Sequence, residues 1–356
     1  MLKTPPFWIA IAAALAVLGG GALPDAGAQT KFTVGNAGGS SADAERKVFY
    51  TPFANANKIQ IQEESFNQEL AKIRSQVETG NLIWDIVTTT AINVATGCEE
   101  GLLEKVDWSK YLDPRLFREV GGISECGVPY LFVSGGLAYD GNRIKDGPKT
   151  WADFWNVTKW PGKRGLLYRA EQTFEVALMA DGVPPAKAME VLSAPGGVER
   201  ALKKLDELKP HIHWWKNGAE SINLLASGEV AMSYAWNGRV ASANKTNNLN
   251  LKMELGAGHV SGCQYWAIMK GSKNKDLAIK FIQYAVAAPQ QADFVRVISY
   301  GPANRDAYAL LTDAEKATLP GQHMDKASLQ LGKLYLGFWL ANGDSLLQRF
   351  VKFAAQ

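Results

Sequence analysis

The stretch Ser227-Gly-Glu-Val-Ala-Met-Ser-Tyr-Ala-Trp-Asn-Gly-Arg239 combines a strand, its end and a turn signal. Val230 to Ala235 is largely apolar, which predicts a short buried strand. Trp236 ends the strand, and Asn237-Gly238 is a turn dipeptide. A large aromatic at the carboxyl end of such a strand lies where α/β sheets bind ligands and can stack on a small molecule. The alternative is a core tryptophan that closes the strand end.

The same alternation of strand and helix extends to both sides of this stretch. The early part of the chain has the order βαβαβ, which predicts a parallel sheet with helices on both faces. The scheme restarts in the middle of the chain, and the segment from Thr312 onward is predicted to be helical. The predicted strands are Phe32–Gly35, Ile59–Glu63, Trp84–Thr90, Val128–Asp140, Gly165–Tyr168 and Tyr265–Met269. The predicted helices include one ending at Phe53, Gln68–Gly80, Trp151–Trp155, Phe174–Asp181, Gly197–Lys209, Ser221–Ala226 and Lys275–Ala287.

Length and charge limit the class of protein. A chain of 356 residues is long enough for two domains. Lys and Arg total 38 against 35 Asp and Glu, a formal net charge of +3, and no basic stripe is present. This near balance argues against nucleic acid as a partner.

The first 28 residues are typical of an export signal. Lys3 supplies the positive start, Phe7 to Leu18 is an apolar run, and Ala26-Gly-Ala28 is a cleavage site. The apolar run is too short to span a membrane. We therefore expect export, most simply to a bacterial periplasm.

Three cysteines fall in the exported part, at positions 98, 126 and 263. Cys98 and Cys126 flank a compact segment, and the compartment is oxidising. We predict that these two form a disulfide with Cys263 outside it, and the alternative is two buried thiols.

Several segments in this order resemble one family. They are Trp84-Asp-Ile-Val, Gly127-Val-Pro-Tyr130, Thr150-Trp-Ala-Asp-Phe-Trp155, Gly162-Lys-Arg-Gly-Leu-Leu167, Gly228-Glu-Val-Ala-Met232, Trp236-Asn-Gly238, Lys275-Asp-Leu-Ala-Ile-Lys-Phe-Ile282 and Tyr300-Gly-Pro-Ala-Asn304. Together they are similar to the spermidine/putrescine-type periplasmic solute-binding proteins of ABC importers. The resemblance covers essentially the whole exported chain.

The resemblance implies a two-lobed, type II-like periplasmic binding protein fold. Each lobe is a mainly parallel sheet flanked by helices, and a two-strand hinge joins the lobes so that they close on a ligand. Residues 29–135 plus 266–310 correspond to lobe 1 and residues 136–265 to lobe 2. Residues 311–356 form a C-terminal helical segment that packs on the lobes. The family is not catalytic and uses no cofactor. We expect a monomer that delivers a small-molecule solute to an ABC permease in the inner membrane.

Three family positions carry over directly to the cleft of this chain. Trp236 matches the cleft aromatic after Gly-Glu-Val, and Tyr300 matches the cleft tyrosine before Pro-x-Asn. Thr90, with Thr89 adjacent, matches the small hydroxyl residue after the third strand.

Other positions depart from the polyamine pattern. Polyamine binders place carboxylates before the helix that starts here at Phe174, where this chain has Arg169 and Gln172 with Glu171 between them. Near the return strand, Gly262 and Gln264 replace an aromatic and an aspartate, and either Gln264 or Tyr265 faces the cleft. The aromatic after the first strand is replaced by a glycine- and serine-rich loop, from which Gly39, Ser40 and Ser41 are candidate ligand contacts.

These replacements change the expected ligand. A polyamine needs anions opposite each ammonium, whereas an Arg fork suits a carboxylate and loop N–H groups suit an anion. We therefore expect an anionic or zwitterionic solute with a carboxylate-like group, such as 4-aminobutyrate. Polyamine binding is the alternative, and Arg169 paired with a surface acid is the alternative for that residue.

Metal-binding and enzyme signals are weak. His211-x-His213 lacks a third ligand nearby, so no metal site is predicted. A ferric-ion binder of related architecture would need two adjacent tyrosines near Tyr300, whose neighbours are Ser299 and Gly301. An enzyme on this scaffold would have Cys263 as its only candidate nucleophile, and an exposed thiol of low pKa would be required.

Overall fold

The computed structural model describes residues 30–117, 122–317, 319–329 and 332–355. The predicted export signal, residues 1–28, lies outside the described residues. The strands are β1 Lys31–Asn36, β2 Gln60–Ser65, β3 Ile86–Thr90, β4 Val128–Asp140, β5 Lys163–Leu167, β6 Ile212–Trp215, β7 Val230–Trp236, β8 Leu251–Glu254, β9 His259–Ile268, β10 Gly301–Pro302 and β11 Ala327–Leu329.

Helices lie between most of these strands. They are α1 Gly39–Glu45, α2 Thr51–Asn57, α3 Leu70–Glu78, α4 Ala91–Glu99, α5 Trp151–Trp155, α6 Ala170–Ala180, α7 Ala188–Ser193, α8 Gly197–Leu208, α9 Gly218–Ser227, α10 Asn237–Asn247, α11 Lys275–Ala285, α12 Ala288–Val297, α13 Asp313–Ala317 and α14 Lys333–Ala355. A π-helical turn, Arg46–Tyr50, joins α1 to α2. The helix that was predicted to end at Phe53 therefore runs without a break to Asn57.

The strands form a mixed sheet in the order β2-β1-β3-β9-β4-β7-β5-β6. The three strands at one end are parallel, as are β7, β5 and β6 at the other. Between them run β4 and β9, antiparallel to each other and to their outer neighbours. Two parallel βα units are therefore joined by two long strands, as the sequence predicts for a two-strand hinge.

Two large hydrophobic cores lie at the two ends of this sheet. The first includes Phe32, Trp84 and Trp266. The second includes Trp151 and Phe174, and Tyr335 and Phe350 of α14 belong to it as well. The C-terminal helix thus packs on the second core. The exact lobe boundaries stay a prediction, because Cys263 and Tyr265 of the segment assigned to lobe 2 pack in the first core.

Local signals in the sequence explain several element ends. Thr150 caps α5, since its Oγ1 accepts from the Asp153 N–H at 3.1 Å while the Asp153 carboxylate accepts from the Thr150 N–H at 3.0 Å. The predicted disulfide between Cys98 and Cys126 is present. Among the described residues, no helix is both long enough and apolar enough to cross a membrane.

Two details of the sequence prediction are wrong. Asn237-Gly238 does not form a turn but begins α10, and the Asn237 side chain joins separate segments. Its Oδ1 accepts from the Ser134 N–H at 3.0 Å and its Nδ2 donates to the Ser299 carbonyl at 2.5 Å. The tail from Thr312 is not helical throughout, because β11 pairs in parallel with β9 and extends the sheet.

Candidate functional site

A cleft opens where the carboxyl ends of the parallel strands meet. Ala37 follows β1, Thr90 ends β3, Trp236 ends β7, Lys216 follows β6, and Arg169 lies two residues after β5. The strands of α/β sheets direct their following loops to one edge, so the topology itself brings these side chains together. The cleft lies between the two cores.

Most of the predicted site residues line this cleft. Seven of the eleven do so, namely Ser41, Thr90, Arg169, Gln172, Trp236, Gln264 and Tyr300. Gly39, Ser40, Thr89 and Tyr265 lie outside the lining.

Strand alternation explains two of these four positions. Thr90 faces the cleft, so its neighbour Thr89 faces the protein interior, where its Oγ1 accepts a hydrogen bond from Asn93 Nδ2 at 2.9 Å. In β9, Gln264 faces the cleft and Tyr265 is buried in the first core. The sequence left the choice between Gln264 and Tyr265 open, and the register of β9 favours Gln264.

Trp236 forms a half-buried part of the cleft wall. Its ring meets the buried Trp215 ring edge to face, with centroids 5.2 Å apart and an interplanar angle of 81°. This contact holds the indole of Trp236 at the strand end. The ring lines the cleft, and an aromatic surface of this kind can stack on a ligand.

The cleft has one wall from each core. The first wall is defined here by Ser41, Gln68, Thr90, Tyr130 and Gln264, whose side chains are all uncharged. The second wall is defined by Arg169, Glu171, Lys216, Trp236 and Arg239. All four charged side chains among the described lining residues therefore lie on the second wall.

Amide and carbonyl groups interlock on the first wall. Gln68 Nε2 donates to Gln264 Oε1 at 2.5 Å, and the Gln68 carbonyl accepts from Asn93 Nδ2 at 2.6 Å. Gln68 adopts a left-handed φ of 59°, which is costly for a residue with a side chain. The surrounding hydrogen bonds hold Gln68 in this conformation.

A buried acid lies behind the first wall. Glu45 accepts hydrogen bonds from the hydroxyls of Tyr130 and Tyr50 at 2.7 Å each, and Ser41 Oγ lies 3.4 Å from it. Burial raises the pKa of Glu45 to about 7, although the hydroxyl donors oppose that rise. Ser41 and Tyr130 are thus held in place from behind the wall.

On the second wall, Arg169 and Glu171 form a loose pair. Arg169 Nη1 lies 3.9 Å from Glu171 Oε2, and both side chains are partly exposed. Burial raises the pKa of Glu171, and the positive charge of Arg169 opposes that shift. Gln172 adopts a φ of 72°, and its Oε1 accepts from the Tyr234 hydroxyl at 2.7 Å. This bond fixes the Gln172 side chain at the cleft.

Sequence reasoning missed Arg239 as a site residue. It lies in the first turn of α10, three residues after Trp236, and is 6% exposed. Its Nη2 donates to the carbonyls of Gly38 at 3.2 Å and Ala37 at 3.5 Å. The loop after β1 therefore presents carbonyl oxygens to a cation, whereas the sequence suggested N–H groups for an anion. A basic residue at a strand end was the available signal, in the very stretch that indicated Trp236.

Potential metal ligands do not gather at the cleft in the described chain. The one cluster of three among the described residues is Cys98, Glu125 and Cys126, and its two sulfurs form the disulfide. His213 Nδ1 lies 3.1 Å from a Glu229 carboxylate oxygen, away from the cleft lining.

Comparisons with known proteins agree on a family. Residues 49–321 match the family model described as bacterial extracellular solute-binding protein. The chain is 39% identical over 327 residues to a gamma-aminobutyric acid-binding protein of Pseudomonas aeruginosa, covering 91% of both chains. It is 29% identical over 252 residues to the spermidine/putrescine-binding periplasmic protein 1 of Haemophilus influenzae, covering 68% of this chain and 67% of the other.

Solved structures agree with the fold. The crystal structure of the PBP MotA from A. tumefaciens B6 in complex with glucopine superposes with a TM-score of 0.84 at 28% identity. The match covers 91% of this chain and 100% of that one. The two-lobed fold predicted from the sequence is thereby confirmed.

Proposed function

The chain belongs to the family of bacterial extracellular solute-binding proteins, and we propose that it captures a small carboxylate-bearing solute between its lobes. It then delivers this anionic or zwitterionic solute to the permease of an ABC transporter. Its place of action is the periplasm, and its role is binding rather than catalysis. The side chains that we propose as ligand contacts are Ser41, Thr90, Arg169, Gln172, Trp236, Gln264 and Tyr300, joined by Arg239.

The charge of the cleft carries this proposal. Among the described residues, three cations line the cleft, Arg169, Lys216 and Arg239, against one carboxylate, Glu171. That carboxylate is already 3.9 Å from Arg169. A polyamine would bring further positive charge into a cleft with an excess of cations, and a buried cation needs an opposite charge or strong dipoles. A ligand carboxylate supplies the missing negative charge.

The relatives support an amino-carboxylate as the first compound to test. The gamma-aminobutyric acid-binding protein of Pseudomonas aeruginosa is 39% identical to this chain. The polyamine-binding relative from Haemophilus is 29% identical over a shorter region. A cleft with a stacking indole, neutral amides and a carboxylate site suits a short zwitterion.

A thermal-shift panel tests the proposal. The exported form would be screened against 4-aminobutyrate, other amino- and hydroxycarboxylates, spermidine and putrescine. We expect a rise in Tm with at least one carboxylate and none with either polyamine, because a ligand bound only to the folded state stabilises it. A rise with the polyamines alone would refute the proposal.

A further inference from the structure

Arg239 connects parts of the protein that belong to different cores. It lies on α10, whose Val240 and Ala243 pack in the second core. The carbonyls that it contacts follow β1, whose Val34 packs in the first core. The guanidinium therefore lies at the boundary between the two cores, and the cleft is directly beside it.

Two glycines leave room for this guanidinium. A Cβ atom placed on Gly39 would lie 2.6 Å from Arg239 Nη1, far inside van der Waals contact. A Cβ on Gly218 would overlap Arg239 Nε and would lie 2.6 Å from Trp236 Cε3. Gly39 begins α1, which packs on the first core, and Gly218 begins α9, which packs on the second, so each core contributes one side of the slot. Any larger residue at either position would displace the guanidinium.

The hydrogen bonds of Arg239 are incomplete within the described chain. Its Nε is buried and has no acceptor among the described residues. No carboxylate of the described residues lies within 4 Å of the guanidinium, in contrast to Arg169 with Glu171. The backbone carbonyls and the neighbouring Tyr300 hydroxyl supply dipoles but no formal negative charge, and a buried cation without one is costly. The guanidinium is thus held in position, but within the described chain its Nε–H lacks an acceptor and its positive charge lacks a carboxylate partner.

We propose that Arg239 recognises the ligand's carboxylate and is the main specificity-determining residue of the cleft, with Gly39 and Gly218 as its positioning residues. This inference rests on the proposed function. The carboxylate accepts from the guanidinium on the second wall, while Nη2 keeps its bonds to the loop of the first core. A ligand that lacks the carboxylate leaves the buried charge unmatched when the cleft closes.

Calorimetry on paired arginine variants tests the assignment. Arg239→Gln and the matched control Arg169→Gln each remove one guanidinium from the same wall. With 4-aminobutyrate, or the best carboxylate from the panel, we expect Arg239→Gln to lower affinity at least ~100-fold, because a buried ion pair is lost. Arg169→Gln should lower it less than ~10-fold, because that arginine is partly exposed and already faces Glu171.

The stability of the ligand-free protein separates recognition from a structural role. Because Arg239→Gln removes a buried, unmatched charge, its ligand-free Tm should equal or exceed that of the wild type. A purely structural arginine would instead lower the ligand-free Tm when replaced. A lower ligand-free Tm together with unchanged affinity would overturn the inference.

A double-mutant cycle tests the glycine slot. Gly218→Ala should weaken carboxylate binding at least ~10-fold, because the added methyl group displaces the guanidinium and the Trp236 ring. In an Arg239→Ala background the same change should have a clearly smaller effect. Gly343→Ala, in α14 with no atom within 4 Å of the added Cβ, is the matched control and should leave affinity unchanged. Equal effects of Gly218→Ala in both backgrounds would refute the positioning role.

The two levels of the proposal can fail separately. If the wild type binds a carboxylate and Arg239→Gln binds it within ~3-fold as tightly, a change of under 1 kcal/mol, then the assignment to Arg239 is wrong and the function stands. If the wild type binds no carboxylate, the proposed function is wrong and the assignment falls with it.

Discussion

The two walls of the cleft are both polar, but they satisfy their polar groups in different ways. On the first wall, Gln68 bonds to Gln264, and Tyr130 bonds to the buried Glu45. On the second wall, Arg239 Nε has no hydrogen-bond partner in the described part of the chain, and Arg169 meets Glu171 only at 3.9 Å. The first wall is thus organised by its own hydrogen bonds, and the difference supports our proposal that a ligand completes the second wall.

Two buried glutamates repeat this contrast. Glu45, behind the first wall, accepts hydrogen bonds from two tyrosine hydroxyls. Glu175 of α6, on the side of the second wall, has no hydrogen-bond partner for either carboxylate oxygen in the part of the chain that the structure describes. Burial raises the pKa of both, to about 7 for Glu45 and to about 8 for Glu175. The two tyrosine hydroxyls oppose the rise at Glu45. Nearby N–H groups, among them those of Gln172 and Trp339, oppose the rise at Glu175.

After Arg239, the largest effect on binding is expected at the aromatic part of the second wall. Trp236→Ala removes the stacking surface, and we expect the affinity for the preferred carboxylate to fall ~100-fold, or about 2.7 kcal/mol. Calorimetry measures this loss. The conservative variant Trp236→Phe should keep most of the wild-type affinity. A loss below ~3-fold for the alanine variant would show that Trp236 is a core residue at a strand end.

The next effect concerns stability rather than binding. Because the pKa of Glu175 is raised by folding, its contribution is fully present below the unfolded pKa and is lost as pH rises toward about 8. Glu175→Gln should therefore be more stable than the wild type at pH 8 by on the order of 4 kcal/mol, with a gain of under about 1 kcal/mol near pH 5. Urea unfolding at several pH values measures the difference.

Glu45→Gln serves as the matched variant for that experiment. The gain in unfolding free energy of Glu45→Gln over the wild type should be smaller than that of Glu175→Gln. It should stop growing near pH 7, where the pKa of Glu45 lies. The glutamine would also lose charge-assisted bonds from Tyr50 and Tyr130. If both variants gained the same unfolding free energy at pH 8, the two buried acids would not differ in the way that we propose.

A moderate effect is expected at the first wall. Gln68→Ala breaks the bond to Gln264, and we expect affinity to fall ~5- to 10-fold, which corresponds to about 1 kcal/mol for a neutral hydrogen bond. Gln283→Ala, on the exposed surface where its amide donates to the Tyr111 carbonyl, is the control and should have no effect on binding. A loss as large as that of Arg239→Gln would place the main recognition on the first wall instead.

The smallest effect is expected at Lys216, which is exposed at the edge of the second wall. Lys216→Gln should lower affinity about 2-fold at low ionic strength and less at physiological salt, because exposed charges are screened. Lys252→Gln, exposed and outside the cleft lining, should change nothing. A salt-independent loss at Lys216 would indicate a direct, desolvated contact.

The sequence predicts the cleft residues at strand ends well. It predicts poorly the cleft residues whose position depends on contacts with distant parts of the chain. Trp236 could be assigned because a buried strand with an aromatic end has a local pattern, whereas Thr90 could be assigned only through the family resemblance. Arg239 could not be assigned, because its burial depends on Gly39 and Gly218, which lie 200 and 21 residues before it and approach it only in the fold. The same holds for Glu45, whose partner Tyr130 is 85 residues away. The Asn237-Gly238 prediction failed because long-range contacts outweighed turn propensity.

The most direct test of a carboxylate-binding cleft uses two ligands with chains of nearly equal length. Calorimetry should compare 4-aminobutyrate with 1,4-diaminobutane, which carries an amino group where the former carries a carboxylate. We predict that the wild type binds 4-aminobutyrate, or its closest carboxylate analogue from the panel, at least ~100-fold more tightly, because the diamine leaves Arg239 without a counterion. Equal or tighter binding of the diamine would contradict the account.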